Sequence, residues 1–191
     1  SMEFNCDLTN IFEVKDLIDK VEPDRIIHCA ANVPKSIDEY NDGQFLDINI
    51  NMIENILANS TCPILYISSM TVYGNQLNRK YKESDASSPS TQYGKSKLYA
   101  DELIQASGCN FTILRYGGIF GLNGPDHLGI NSAINNSVEG TVPSLIGTGD
   151  AKRNYIYVKD AAQAIVKCLE ERITGFYYLG GEVKTLKGML N

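Results

Sequence analysis

Residues 90–101 read STQYGKSKLYAD, with Tyr93 and Lys97 four positions apart. On a helix Tyr93, Lys97, Ala100 and Ile104 fall at i, i+4, i+7 and i+11, one stripe that begins with a phenol and an ammonium and continues apolar. An isolated pair of this kind is ordinarily a half-buried aromatic beside a lysine that lays its stem along the helix and keeps its charge in water. The upstream segment YISSMTVYG, residues 66–74, adds Ser68 and Ser69 at the end of an apolar run, where an open parallel sheet presents its ligands. Serines at strand ends are also common turn formers. Together, however, a hydroxyl, a phenol and a cation are what removing a proton from an alcohol requires while hydride leaves the same carbon. Lowering a phenol pKa from about 10 to about 7 takes roughly 4 kcal/mol. One unit charge about 4 Å away, at an effective dielectric of about 20, is worth roughly that much. Lys97 is therefore sufficient in magnitude if it sits that close.

The elements that would hold these residues follow from patterning. EFNC is a short strand candidate, and Thr9 or Asn10 of DLTN is placed to cap a helix IFEVKDLIDKV that stops at Pro23. RIIHCAA then reads as a strand buried on both faces. A helix over 44–58 leads to strand ILYIS, a long polar segment over 75–90, a helix over 92–106 and strand FTILRY. Beyond lie a Gly-rich loop, a helix near 131–139, strand RNYIYV, a helix over 159–170 and strand FYYLG. Strands alternating with helices of this length predict an α/β fold with a parallel sheet, ligands sitting at the carboxyl ends of its strands.

Bulk properties narrow the function. The chain has 191 residues, 43% hydrophobic, with a formal net charge of -6, and its Lys and Arg are scattered, so no phosphate-backbone footprint is visible and nucleic acid is not expected as a partner. No apolar run reaches the roughly 20 residues that span a bilayer, and the N-terminus lacks the regions of a signal peptide, so no membrane partner and a cytoplasmic location are expected. Cys6, Cys29, Cys62, Cys109 and Cys168 form no C-x-x-C pair and read as small buried hydrophobes of a reducing compartment. His28 and His127 stand far apart without neighbouring ligand spacing, so no metal site is expected and His28 reads as a strand-end histidine. No G-x-S-x-G elbow supports a serine hydrolase. Ser1, placed before Met2, reads as the scar of a cleaved tag.

Taken in order, SSMTVYG, YGKSK, RYGGIFG and GTGDAKRNYIYVKDAA resemble the successive signatures of the extended short-chain dehydrogenase/reductase superfamily, in its NAD-dependent epimerase/dehydratase branch of UDP-galactose 4-epimerase-like proteins. DLTN and HCAA resemble that family's cofactor-side segments. The resemblance implies a partial Rossmann-like, doubly wound parallel sheet with part of a small substrate-binding region. It divides the chain into an incomplete dinucleotide-binding domain over 1–116 and a mixed segment over 117–191, which combines substrate-binding elements with a returning strand and helix. Tyr93 would be the general base or acid, Lys97 would hold the nicotinamide ribose and depress the tyrosine's pKa, and Ser69 would hydrogen-bond the substrate oxygen. Asp7 would accept from the adenine amino group with Leu8 beside it, while Ala30 and Ala31 keep side chains small where the dinucleotide crosses. Asn49 resembles the helix asparagine that supports the site, and equally fits an ordinary polar residue at a helix bend. Arg153 would grip a substrate diphosphate, a role suited to a bidentate guanidinium, or stand as a solvated loop charge.

Those roles imply NAD or NADP as cofactor, NAD favoured, and a nucleotide sugar as the small-molecule substrate, with assembly as a homodimer left open. Four departures qualify them. The Gly-rich pyrophosphate turn expected before Asp7 is absent, and the chain stops at Asn191 where the family continues, so truncation at both ends and little NAD turnover by the chain as given are expected. Gly118 stands where sugar-nucleotide enzymes often carry Asn, and Asn154 where Asp commonly follows the arginine. A reductase of a small carbonyl substrate and a non-catalytic dinucleotide-sensing relative therefore stay open. Arg153 speaks against the first, and the presence of both Tyr93 and Lys97 against the second.

Overall fold

Capping starts the first helix, α1 (Ile11–Val21). Asn10 accepts from the Phe12 N–H at 3.1 Å, and Glu13 reaches back to take the Asn10 amide and the Asp7 N–H, both at 2.9 Å. Glu22, at a left-handed φ of 45°, and Pro23 end it. The computed structural model describes residues 3–36, 38–74, 82, 85–143, 148–150 and 152–189. Most of the polar segment over 75–90 and two positions of the GTGDAK stretch lie outside these.

Strand β1 (Ile26–His28) follows, then a 3-10 helix (Asp38–Asn41), α2 (Gly43–Asn59), β2 (Ile64–Ser69), a second 3-10 helix (Met70–Tyr73), α3 (Gln92–Ala106) and β3 (Phe111–Tyr116). After them come β4 (Gly118–Phe120), α4 (Gly129–Val138), β5 (Lys152–Tyr157), α5 (Val158–Glu170), β6 (Gly175–Leu179), β7 (Val183–Thr185) and α6 (Leu186–Met189). Four strands form one sheet in the order β1-β2-β3-β6, and three form another in the order β4-β5-β7. β1 runs parallel to β2 with Ile26 opposite Ile64 and His28 opposite Tyr66. β5 runs parallel to β4 and antiparallel to β7. The α/β class with a parallel, Rossmann-like sheet is thus the observed architecture.

The chain divides into two compact units, residues 1–114 with 174–177, and residues 115–173 with 178–191. In the first, Val14 of α1, Ile53 and Ile56 of α2, Ala100 and Ile104 of α3, Ile64 and Tyr66 of β2 and Ile113 of β3 make one apolar core. The amphipathic faces of α1, α2 and α3 supply it together with β2 and β3, and burying each of its Val or Ile side chains stabilises the fold by about 1.5–3 kcal/mol. In the second unit, Asn131 is fully buried and braces the turn before α4, accepting from the Gly121 N–H at 3.1 Å and donating to the Pro125 carbonyl at 3.3 Å.

Four expectations are corrected. EFNC forms no strand, since extended backbone needs a neighbour to bond, and among the described residues none pairs with it. RIIHCAA contributes only Ile26–His28 and is not buried on both faces. It is the first strand of the sheet order, with Ile27 45% exposed and Cys29 and Ala30 also at the surface. The Gly-rich GGIFG carries β4, because Gly118 lets the backbone lie against Tyr155, whose ring would stand 2.7 Å from a Cβ there. RNYIYV consequently pairs in the smaller sheet instead of the main one.

Candidate active site

The α3 stripe is buried as the spacing requires: Tyr93 is 9% exposed, Lys97 3%, and Ala100 and Ile104 are fully covered. Thr91 caps this helix through the Gly94 N–H at 3.0 Å. Gly94 then permits close approach to the preceding 3-10 helix, since a Cβ there would meet the Thr71 carbonyl at 2.8 Å. Gly74, at φ 67°, turns the chain under the Ser88 carbonyl, which would lie 2.2 Å from a Cβ. The start of α3 is thereby packed on the turn that leaves β2, and Ser69 opens that turn.

Ser69 is half-buried, and its Oγ accepts from the Thr71 N–H at 3.2 Å and from the Thr71 hydroxyl at 3.0 Å. With its lone pairs so engaged, its own O–H proton remains to be donated. Its neighbour Ser68 is 3% exposed, with an Oγ that meets no partner among the described residues.

Lys97 donates from Nζ to the Ile67 carbonyl at 2.9 Å, with the ammonium 4.7 Å from the Tyr66 ring centroid and 5.8 Å from that of Tyr93. Burial pulls its pKa down to about 8, partly offset by Asp101 and Cys29. The Tyr93 phenol moves the other way from expectation. Burial raises it above its ordinary value, and the Tyr40 phenol adds in the same direction. A 4 Å Coulomb pairing with Lys97 would have lowered it, but the ammonium stands 5.8 Å from the ring centroid and burial sets the direction. The Tyr93 phenol thus keeps its proton at neutral pH in this geometry.

Sequence reasoning missed three supports. Tyr40 packs edge-on against Tyr93, ring centroids 6.1 Å apart, and a lone tyrosine in a polar loop gives no signal for that. His28 is 4% exposed and stacked on Tyr66 at 5.6 Å, with burial and then Lys97 holding its pKa down to about 4. Ser96, between the two motif positions, donates to the Tyr93 carbonyl at 2.8 Å. Asn49, 3% exposed, accepts from the Asn32 N–H at 2.7 Å and donates to the Asn32 carbonyl at 3.0 Å and to Ser96 Oγ at 3.3 Å. These bonds tie the segment after β1 to α3, whichever of its two readings applies.

Asp7, Leu8, Ala30 and Ala31, expected on the cofactor side, sit in the same unit. Ala30 is exposed and Ala31 half-buried just past β1, offering little side-chain obstruction. Asp7 is exposed, its carboxylate held below its usual pKa by the Thr9 hydroxyl and N–H at 2.7 and 2.9 Å, so it stays an acceptor. Leu8 packs against the core, its carbonyl taking the Asn55 amide at 3.0 Å. Small residues past a strand end, a charged acceptor, a buried ammonium and a phenol suit a dinucleotide's adenine and ribose. Arg153 belongs to the second unit, exposed on β5 opposite Lys184, with NH1 on the Lys152 carbonyl at 3.0 Å. Gly118 cannot be exchanged for an asparagine without displacing Tyr155.

Residues 3–179 match the family model described as the NAD dependent epimerase/dehydratase family. The dTDP-4-dehydrorhamnose reductase of Aggregatibacter actinomycetemcomitans is 27% identical over 187 residues, covering 92% of this chain and 62% of that protein. Among solved structures, the UDP-glucose 4-epimerase of Thermus thermophilus, in complex with NAD, superposes with a TM-score of 0.83 at 22% identity, over 98% of this chain and 66% of that one. RMD from Pseudomonas aeruginosa, complexed with NADPH, gives 0.83 at 24% identity, over 100% and 70%. The chain spans about three fifths of the length of the curated relative named here.

Proposed function

The chain belongs to the NAD-dependent epimerase/dehydratase family, and from that premise we propose that Ser69, Tyr93 and Lys97 form the proton-handling site of an NAD- or NADP-dependent enzyme acting on a nucleotide sugar. The observation that supports this is the placement of three residues by one strand: Ser69 closes β2, Lys97 bonds the Ile67 carbonyl two residues earlier, and Tyr93 lies one helical turn before Lys97.

A bound nicotinamide supplies the hydride acceptor or donor. Ser69 donates a hydrogen bond to the reacting sugar oxygen. Tyr93 passes its proton to that oxygen when a carbonyl is reduced and takes it back when the alcohol is oxidised. Lys97 places positive charge beside the Tyr66 and Tyr93 rings and would hold the ribose hydroxyls of a dinucleotide, for which Asp7 and Leu8 would take the adenine and Ala30 and Ala31 would leave room. Arg153 pairs with the substrate diphosphate. NAD is favoured over NADP by the family description, and the relatives named above include proteins of nucleotide sugars and structures with NAD and with NADPH. Tyr93→Phe in the whole protein is expected to lower turnover by about 10²–10⁴-fold while dinucleotide affinity stays within a few-fold, because the phenol's proton matters chiefly in the transition state. Unchanged turnover would remove Tyr93 from the chemistry.

A further inference from the structure

A buried ammonium needs compensation, and beyond the pull of the Asp101 charge Lys97 has no ion pair among the described residues to supply it. At 3% exposure it makes no salt bridge among the described residues and has one hydrogen-bond acceptor, the Ile67 carbonyl. What it does have is an aromatic wall. Nζ lies 4.7 Å from the centre of the Tyr66 ring, inside the range in which the negative face of an aromatic attracts a cation. Tyr66 itself is 2% exposed, and the His28 ring lies nearly parallel to it, at 12° between planes. That stack is set by strand register, since His28 and Tyr66 are direct partners across β1 and β2.

We propose that Tyr66 is a positioning residue for Lys97: its ring, backed by His28, holds the ammonium at the end of β2 beside Tyr93. The inference rests on Lys97 acting in the site as described above. Neutral holders suit that task. A carboxylate in contact would cancel the lysine's field at the phenol and at the substrate oxygen, whereas a ring face and a carbonyl hold the charge and leave the field standing. His28 remains uncharged at neutral pH, so it adds bulk to the wall without repelling the lysine. The other titratable groups acting around this cluster are Cys29 after β1, Tyr93 and Asp101 on α3, and Tyr40 against Tyr93; α2 presents the neutral Asn49.

The test is a titration of the Lys97 side chain, followed by NMR on protein carrying 13C-labelled lysine and assigned with Lys97→Met. Wild type is compared with Tyr66→Phe, Tyr66→Leu and a protein with 3,4,5-trifluorophenylalanine at position 66. Phenylalanine keeps the ring face and is expected to match wild type. Leucine, and the fluorinated ring whose face has lost its negative charge, are expected to lower the lysine's pKa by about one unit, a roughly tenfold loss of proton affinity. Should Tyr66→Leu fail to fold, the fluorinated ring, nearly the shape of phenylalanine, decides alone. An unchanged titration on losing or fluorinating the ring overturns the proposal, as does a Tyr66→Phe protein that behaves like the fluorinated one, which would assign the effect to the hydroxyl. Neither result touches the catalytic reading of Tyr93, and an active Tyr93→Phe protein would in turn leave these titrations as they are.

Discussion

Lys97 carries its charge into a place that resists it, and the fold is less stable for that. Its pKa is about 8 when folded and ordinarily 10.5, so between those values the unfolded chain holds a proton that the folded chain releases. Stability therefore rises with pH across that window, and the full cost, on the order of 3 kcal/mol, applies below it. His28 has the same sign lower down. With a folded pKa of about 4 against 6.5, stability falls as pH drops through that interval. Lys97→Met is thus expected to be about 1–3 kcal/mol more stable than wild type in urea unfolding at pH 7, with the advantage shrinking towards pH 10.5. A variant no more stable at pH 7 would mean that the Ile67 bond and the Tyr66 contact repay the burial of the charge. The stripe from Tyr93 to Ile104 was legible from spacing alone, because a helix of known pitch leaves little choice. The acidity of Tyr93 was not, since it depends on how deeply the phenol is buried and on Tyr40, a residue fifty-three positions away in sequence.

Between elements, Asn49 joins the segment after β1 to α3 through Asn32 and Ser96. Replacing it with leucine leaves the Asn32 N–H and carbonyl without these bonds in a partly buried setting, at about 1–3 kcal/mol for each group left unmet. Asn49→Leu is accordingly expected to unfold about 2–4 kcal/mol more easily, with faster amide exchange at Asn32 than at the core positions of β2. Loss of stability without a local change at Asn32 would place the effect in packing. Helices were the most readable elements: the Asn10 cap candidate and Pro23 mark α1, and the Tyr93 stripe marks α3, to within a residue or two. Strands were less so. β4 hides among glycines whose purpose is contact with Tyr155, and EFNC has the composition of a strand but no pairing partner among the described residues.

At the scale of the molecule, the first unit holds Ser69, Tyr93 and Lys97 with the residues proposed for the cofactor, and the second holds Arg153. The family was legible because four motifs occur in order, each tied to a strand end or a helix start. The second sheet was not, because its pairings join β5 to segments distant in sequence and β7 runs against it. Central to the account is that Tyr93 handles the proton while Arg153 handles the diphosphate. The most direct measurement is a single turnover in which the whole protein, saturated with NAD, is mixed with a uridine or thymidine diphosphate sugar and the reduced nicotinamide is followed by absorbance. The account predicts a signal in wild type, one slowed by orders of magnitude in Tyr93→Phe, and one in Arg153→Ala that needs more sugar to reach the same maximal rate. Equal rates in wild type and Tyr93→Phe, or an Arg153→Ala protein with wild-type dependence on the nucleotide sugar, would contradict it.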